Sequence, residues 1–285
     1  MQATMQLWNV TNLGFYRAPL PQTGCAILRN YTAEYLAWGS GPPIVLIPGL
    51  AGGVGLTSLL AAQLTQEYRV LALQLRGETD PFVLRRRFDL NDLVDDIADF
   101  IELLGLECPV VVGVSFGGIL ALQYAARYPS RLSAVIAQGV DVTFAPSLLR
   151  FAIELALRQY SLPNHNPFLN QFFQIFLGKR CEDANLLNFV AQQCWQTDQS
   201  VMAYRFRLAE QMNLRPYLSA IRVPTLIVTG QLDLLTTRQG LQELQRRIPR
   251  VDHVSIPEAG HFAFVSHAPH LATIIRRFLR RCLAE

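Results

Sequence analysis

The stretch Pro109-Val-Val-Val-Gly113-Val-Ser115-Phe-Gly117-Gly118 decides the fold of this chain. Its first half is a short run of apolar, mostly β-branched residues, which is typical of a strand buried on both faces. Its second half begins a helical segment that Pro129 ends. The serine therefore stands at a sharp strand-to-helix turn in the pattern G-x-S-x-G. This context predicts a nucleophilic hydroxyl above the carboxyl end of a sheet, with a structural glycine-rich turn as the alternative.

Apolar runs and amphipathic segments alternate on both sides of this turn. The predicted strands are residues 24–30, 33–38, 44–47, 68–75, 109–114, 131–138, 224–229 and 251–256. The predicted helices are residues 56–66, 91–104, 117–128, 238–247 and 269–282. Such alternation, with strands rich in Val, Ile and Leu, predicts an α/β fold with helices flanking a mostly parallel sheet.

The alternation is interrupted between residues 143 and 218, where helical segments rich in Phe, Leu and Gln replace the strands. We predict a helical cap insertion there, between two parts of one core at residues 1–142 and 219–285. Its aromatic residues are Phe144, Phe151, Tyr160, Phe168, Phe172, Phe173, Phe176, Phe189, Trp195, Tyr204, Phe206 and Tyr217. If several of them face the sheet they form a lipophilic pocket, and packing within the cap is the alternative for most.

A serine hydroxyl is a weak nucleophile and needs a base, which in turn needs a carboxylate to orient it. His261 follows the last predicted strand, where its loop would hang over the same sheet edge as Ser115. Asp233 follows the strand before it, which gives the hydrolase order Ser, Asp, His. Asp141, just after an earlier strand, is the rival for the acid. We predict a triad of Ser115, Asp233 and His261.

Attack on a carbonyl builds an alkoxide, which needs preorganised N–H donors. The backbone amide of Phe116, directly after the serine, is one predicted donor, and the amide of Leu50 is the other. Gly49 would let the substrate approach this backbone. We predict that Gly49, Phe144 and Phe262 contact the substrate.

The composition excludes disorder and argues against a membrane-spanning protein. Of the 285 residues 51% are hydrophobic and 16% are charged, which leaves material for a large core. Residues 35–66 and 108–126 carry no charge and are long enough to span a bilayer. Prolines and glycines interrupt both, so strand-to-helix breaks are the better interpretation. Residues 1–10 lack the pattern of a signal peptide, and we predict a cytoplasmic protein.

Charge and cysteine patterns argue against several other classes. A net charge of +3 does not indicate a basic surface for binding nucleic acid. The five cysteines are scattered without a C-x-x-C pair, so neither a disulfide framework nor a metal site is expected. The glycine-rich residues 49–55 raise the alternative of a dinucleotide-binding oxidoreductase, but they do not fit G-x-G-x-x-G. We therefore expect no cofactor.

Beyond the serine turn, four segments resemble the α/β-hydrolase superfamily along nearly the whole chain. Trp38-Gly-Ser-Gly-Pro-Pro-Ile-Val-Leu-Ile-Pro-Gly49 resembles its oxyanion strand, and Leu75-Arg-Gly77 resembles its D-x-R-G loop. Residues 224–233 and 259–262 resemble the acid and base segments. Together with the aromatic insertion, the resemblance implies a serine hydrolase without a cofactor, which cleaves a small-molecule carboxylic ester with an apolar acyl or alkyl group through an acyl-enzyme. The alternatives of this fold are a C–C bond hydrolase, a thioesterase, a lyase and a triad-retaining ligand receptor.

Two positions depart from the family pattern. Pro48 stands where the family has a histidine before the oxyanion glycine, and Gln74 stands where D-x-R-G has its aspartate. Both positions support loops, so the departures affect loop geometry and subfamily more than the triad. The serine at position 115 argues against the dehalogenases and epoxide hydrolases of this fold, which use aspartate there.

Overall fold

The computed structural model describes residues 20–78, 87–144, 148–159 and 167–283. Within these ranges eight strands form one sheet, and eleven α-helices accompany it. The N-terminal residues 1–10, on which the expectation about a signal peptide rests, lie outside the described part of the chain, as does Tyr160 of the predicted insertion.

The sheet is mostly parallel, as the sequence predicts. Its strands are β1 (Gln22–Ile27), β2 (Thr32–Trp38), β3 (Pro43–Ile47), β4 (Arg69–Leu73), β5 (Val110–Val114), β6 (Ala134–Gln138), β7 (Thr225–Gly230) and β8 (Val251–Ile256). They lie in the order β1-β2-β4-β3-β5-β6-β7-β8. Strand β2 is antiparallel to β1 and to β4, and each neighbouring pair from β4 to β8 is parallel.

The helices follow the predicted alternation, and five of them lie between β6 and β7. The helices are α1 (Gly53–Leu64), α2 (Leu90–Leu103), α3 (Phe116–Arg127), α4 (Leu148–Gln159), α5 (Pro167–Leu177), α6 (Ala184–Cys194), α7 (Gln199–Glu210), α8 (Arg215–Leu218), α9 (Arg238–Arg247), α10 (Ala263–Ser266) and α11 (Ala268–Cys282). Helices α4 to α8 occupy the segment in which the sequence predicts a helical insertion. The division into a core and a cap at residues 143 and 218 stays a prediction.

The two uncharged stretches of the sequence belong to the buried sheet and its helices. Along β3, Val45 and Ile47 face one hydrophobic cluster, and Ile44 and Leu46 face the other. A strand buried on both faces has no position for a charged residue, which explains the low charge content. Among the residues that the structure describes, no helix combines the length and the apolar composition needed to cross a bilayer.

The loop after β4 is held by polar contacts that the sequence alone does not indicate. The Arg76 guanidinium donates to both carboxylate oxygens of Asp96, at 2.9 and 2.6 Å, and both side chains are buried. Gln74 Oε1 accepts a hydrogen bond of 3.0 Å from the backbone amide of Val54. Gln74, which replaces the family aspartate, therefore satisfies a free amide in the first turn of α1.

Helix α2 begins with a capping box at Asp89 and Asp92. Asp89 Oδ1 accepts from the amides of Asn91 and Asp92 at 2.7 and 3.0 Å, and Asp92 Oδ2 accepts from the Asp89 amide at 2.8 Å. We expect Asp89→Ala to lower the free energy of unfolding by about 1 kcal/mol, because it leaves two amides without a protein acceptor. Urea denaturation measures this loss. Asp89→Asn retains a capping oxygen and is the control; equal losses in both variants would contradict the capping role.

Candidate active site

The sheet register brings the predicted oxyanion loop beside the serine turn. Strands β3 and β5 are parallel neighbours, with Ile47 opposite Gly113. The residues that follow both strands therefore leave the same edge of the sheet side by side. A Cβ placed on Gly49 would lie 3.6 Å from Ser115 Cβ, which is ordinary van der Waals contact. The predicted approach of the loop after β3 to the serine is present in the structure.

The backbone at Ser115 is strained. It has φ 52° and ψ −119°, outside the regions that a residue with a side chain normally adopts. A Cβ on Gly113 would lie 2.1 Å from the carbonyl oxygen of Gly117, and a Cβ on Gly117 would lie 2.3 Å from the Ile47 carbonyl oxygen. Both glycines are therefore required by close backbone approach, which lets α3 begin directly after β5.

The three predicted triad residues are in hydrogen-bond contact. His261 Nε2 lies 2.7 Å from Ser115 Oγ, and His261 Nδ1 lies 3.1 and 3.0 Å from the two carboxylate oxygens of Asp233. The imidazole is buried, with 4% of its side chain exposed, and the Asp233 side chain is fully buried. An ionised Asp233 favours the proton on Nδ1, so Nε2 is free to accept the serine proton. This arrangement would allow proton transfer from Ser115 Oγ to His261 Nε2, with Asp233 orienting the ring.

Asp141, the rival for the acid, has different partners. Its Oδ2 accepts from the Thr237 amide and the Thr237 hydroxyl, both at 2.7 Å. Its Oδ1 accepts from the Val142 amide at 2.6 Å. Thr237 is the residue that caps α9. The contacts of Asp141 are therefore those of a carboxylate that anchors the start of a helix.

Gln138, at the end of β6, links the serine and histidine segments and is not among the residues predicted from the sequence. Its backbone carbonyl accepts from the Ser115 amide at 2.7 Å, and its side-chain amide donates to the His261 carbonyl at 3.1 Å. The residue is completely buried. A polar side chain at the end of an otherwise apolar strand is the available signal, because a buried amide needs hydrogen-bond partners.

The two predicted oxyanion donors flank the serine. Leu50 and Phe116 both line the cavity that Ser115 borders. Within the described residues, neither backbone amide donates to a backbone carbonyl outside the helices and strands. Phe116 is also the first residue of α3, where the helix dipole favours negative charge. Two unengaged amides beside a nucleophile can stabilise an alkoxide.

The cavity over Ser115 and His261 has a volume of about 170 Å³ and a predominantly apolar lining. The predicted contact residues Gly49, Phe144 and Phe262 all line it. The helical segment contributes Phe144, Ile153, Leu157, Phe172, Phe173, Phe176, Cys194, Trp195, Gln199, Met202, Phe206, Ala209 and Met212. Several aromatic residues of this segment therefore do border the cavity, whereas Phe189 packs in the core and Phe151 is 63% exposed.

Comparison with known proteins identifies the family of this chain. Residues 42–268 match the sequence profile of the alpha/beta hydrolase fold. The chain belongs to the alpha/beta hydrolase family. Its predicted fold class and its assignment as an enzyme of this family are thereby confirmed.

Several proteins that are similar to this chain over most of its length carry hydrolase names. The chain is 26% identical over 256 residues to the pimeloyl-[acyl-carrier protein] methyl ester esterase of Aeromonas hydrophila, covering 85% of this chain and 97% of that protein. The thermophilic esterase from Thermogutta terrifontis superimposes with a TM-score of 0.77 at 22% identity, covering 92% and 99% of the two chains. The meta-cleavage product hydrolase of Pseudomonas fluorescens gives 0.74 at 21% identity, covering 91% and 98%. The structural likenesses concern the fold alone.

Proposed function

We propose that this enzyme hydrolyses carboxylic esters with an apolar acyl or alkyl group. The observation that carries the proposal is the hydrogen-bonded series Ser115–His261–Asp233 at the border of an apolar cavity. A relative named as a methyl ester esterase supports ester chemistry.

In the acylation half of the reaction, Ser115 Oγ attacks the ester carbonyl carbon while its proton passes to His261 Nε2. Asp233 stabilises the imidazolium that forms and keeps the ring in place. The carbonyl oxygen becomes an alkoxide and accepts hydrogen bonds from the amides of Leu50 and Phe116. The intermediate collapses to an acyl-serine, and the departing alcohol takes the proton from His261.

In the deacylation half, water replaces the alcohol. His261 Nε2 accepts a proton from water as the water oxygen attacks the acyl carbon. The second tetrahedral intermediate collapses, the acid is released, and the proton returns to Ser115 Oγ. Each half-reaction uses the same two oxyanion donors, so the scissile carbonyl stays in one position.

The lining of the cavity favours an uncharged chain as the bound part of the substrate. Among the described lining residues there is no arginine or lysine. The lining carboxylate of Asp141 is already engaged by Thr237 and Val142. A substrate that carried a carboxylate into the cavity would therefore lose hydration without gaining a cationic partner.

A series of nitrophenyl esters tests this assignment. We expect kcat/KM to rise by about fourfold for each methylene that the cavity buries, since each contributes about 0.8 kcal/mol, and then to level off. Ala209 lines the cavity and is 7% exposed. Ala209→Phe narrows the cavity and should lower kcat/KM for long chains only, with acetyl esters as the internal control. A flat series in the wild type would contradict an acyl or alkyl pocket.

The same assay separates the alternatives of this fold. Matched thioesters and a C–C cleavable diketone are tested beside the esters, since the triad alone does not distinguish these reactions. A fluorophosphonate that labels Ser115 reports an activated serine. Labelling without ester turnover, together with ligands that raise the melting temperature, would favour a receptor. Failure of both labelling and turnover would refute the proposed serine chemistry.

A further inference from the structure

The side chain of Arg205 on α7 is completely buried and extends to the loop that holds Leu50. Its Nη1 donates to the Leu50 carbonyl oxygen at 3.2 Å and to Glu78 Oε1 at 2.6 Å, and its Nη2 donates to the Arg76 carbonyl oxygen at 2.8 Å. The Arg205 side chain has no exposed surface, and that of Glu78 is 2% exposed. A cation from the helical segment is thus inserted between the loops that follow β3 and β4.

A second contact from the same segment holds the same loop. Thr197 Oγ1, between α6 and α7, accepts a hydrogen bond of 2.9 Å from the Gly52 amide, and it is buried. The two contacts fix the carbonyl of Leu50 and the amide two residues later. The backbone directly after the proposed oxyanion donor is therefore held on both sides by residues outside the sheet.

Holding two loops together with a buried ion pair is energetically unfavourable compared with apolar packing. Removing a guanidinium and a carboxylate from water costs free energy, and apolar residues of similar size stabilise a core as well or better. Arg205 Nε has no hydrogen-bond partner within the described residues, which adds to that cost. Neither Arg205 nor Glu78 is among the described residues that line the cavity, so neither contacts a substrate there. Neither a gain in stability nor contact with a substrate therefore explains why Arg205 and Glu78 are buried as a pair.

We propose that Arg205, paired with Glu78, is a positioning residue that holds Leu50 for the oxyanion. The inference rests on the proposed function, because the Leu50 amide matters only if an alkoxide forms beside Ser115. Arg205 acts through the Leu50 carbonyl, with Thr197 as a second anchor at Gly52. The helical segment then has two roles: it encloses the acyl chain, and it sets the geometry of the oxyanion loop.

The test replaces both members of the pair, because removing Arg205 alone would leave Glu78 buried without its partner. We expect the double variant Arg205→Met with Glu78→Leu to lower kcat for a nitrophenyl ester by about 10- to 100-fold. This decrease is at most as large as the one caused by removing one oxyanion donor outright. An alkyl trifluoromethyl ketone forms a tetrahedral adduct on a serine, so its inhibition constant should rise by the same factor. The KM and the affinity for an alkanol of equal chain length should stay within about twofold, since the cavity is unchanged.

Arg276→Met is the matched control. Arg276 Nη1 donates to the Gln63 carbonyl at 2.6 Å, and its Nε lies 3.6 Å from Glu67. It therefore makes the same kind of contact at the far end of α1, about 15 Å along the helix from Gly53. This variant should change the melting temperature and leave kcat and ketone inhibition unchanged. If the double variant of Arg205 and Glu78 likewise changed only the melting temperature, with kcat and ketone inhibition unchanged, the proposal would be overturned.

Thr197 provides an independent variant if the double variant does not fold. Thr197→Val removes the acceptor of the Gly52 amide, and Thr197→Ser restores a hydroxyl. We expect Thr197→Val to lower both kcat and the affinity for the trifluoromethyl ketone, and Thr197→Ser to keep both near the wild-type values. Equal kcat in all three proteins would overturn the role of the segment. If the wild type neither hydrolyses esters nor reacts with a fluorophosphonate, the proposed function itself fails.

Discussion

Replacing Ser115 with alanine is expected to lower kcat for nitrophenyl esters by about a million-fold, as when a triad acts as one unit. Oγ is the only atom lost, and it is the atom 2.7 Å from His261 Nε2. Without it His261 has no hydroxyl to activate and no acyl-enzyme forms. The remaining rate would come from water attacking an ester that the oxyanion donors still bind.

The measurement needs a control for folding and for substrate binding. Alanine keeps the Cβ of Ser115, so the strain at this turn is unchanged and the variant should fold like the wild type. The Kd of a long-chain alkanol, which neither protein can acylate, should be the same by calorimetry for the alanine variant and the wild type. Fluorophosphonate labelling should disappear. Retained turnover with retained binding would show that another group is the nucleophile.

The sequence predicts the features of this enzyme that depend on local pattern. The strand and helix of the serine turn are predictable because residues 109–128 change from a β-branched run to a helical period within one glycine-rich turn. Helix α9 and strand β8 have the predicted bounds. Parallel neighbours bring successive strand ends to one edge, which is why the sequence alone groups Ser115, Asp233 and His261.

The sequence does not predict contacts between polar residues that are far apart in the chain. Arg205 and Glu78 are 127 positions apart, and Arg76 and Asp96 are 20 apart. Neither pair has a spacing that periodicity detects, since each partner also suits an exposed helix or loop. These side chains form buried ion pairs only because the folded chain surrounds them, and local sequence does not show which charged residues become buried. Gln74 departs visibly from the family pattern, but only the folded structure shows that it contacts the start of α1.

The choice between the two candidate acids leads to the second large prediction. Asp233→Asn is expected to lower kcat by about 10,000-fold near neutral pH, because an amide favours the wrong imidazole tautomer and does not stabilise the imidazolium. The introduced side-chain amide would donate to His261 Nδ1 and place the ring proton on Nε2. That nitrogen then faces Ser115 Oγ as a donor and has no lone pair to accept the serine proton.

Asp141→Asn is the matched control, since it makes the same chemical change at the rival carboxylate, which lines the cavity beside His261. Asp141 Oδ2 accepts two hydrogen bonds from Thr237. The variant should lose about 1–2 kcal/mol of stability through weakened anchoring of α9, with kcat within about threefold of the wild type. Initial rates and melting temperatures of the two variants separate the effects. A large loss of kcat in Asp141→Asn, with Asp233→Asn still active, would reverse the assignment of the acid. In that case His261 must leave its contact with Asp233 during turnover, because the two carboxylates hold different partners in the structure.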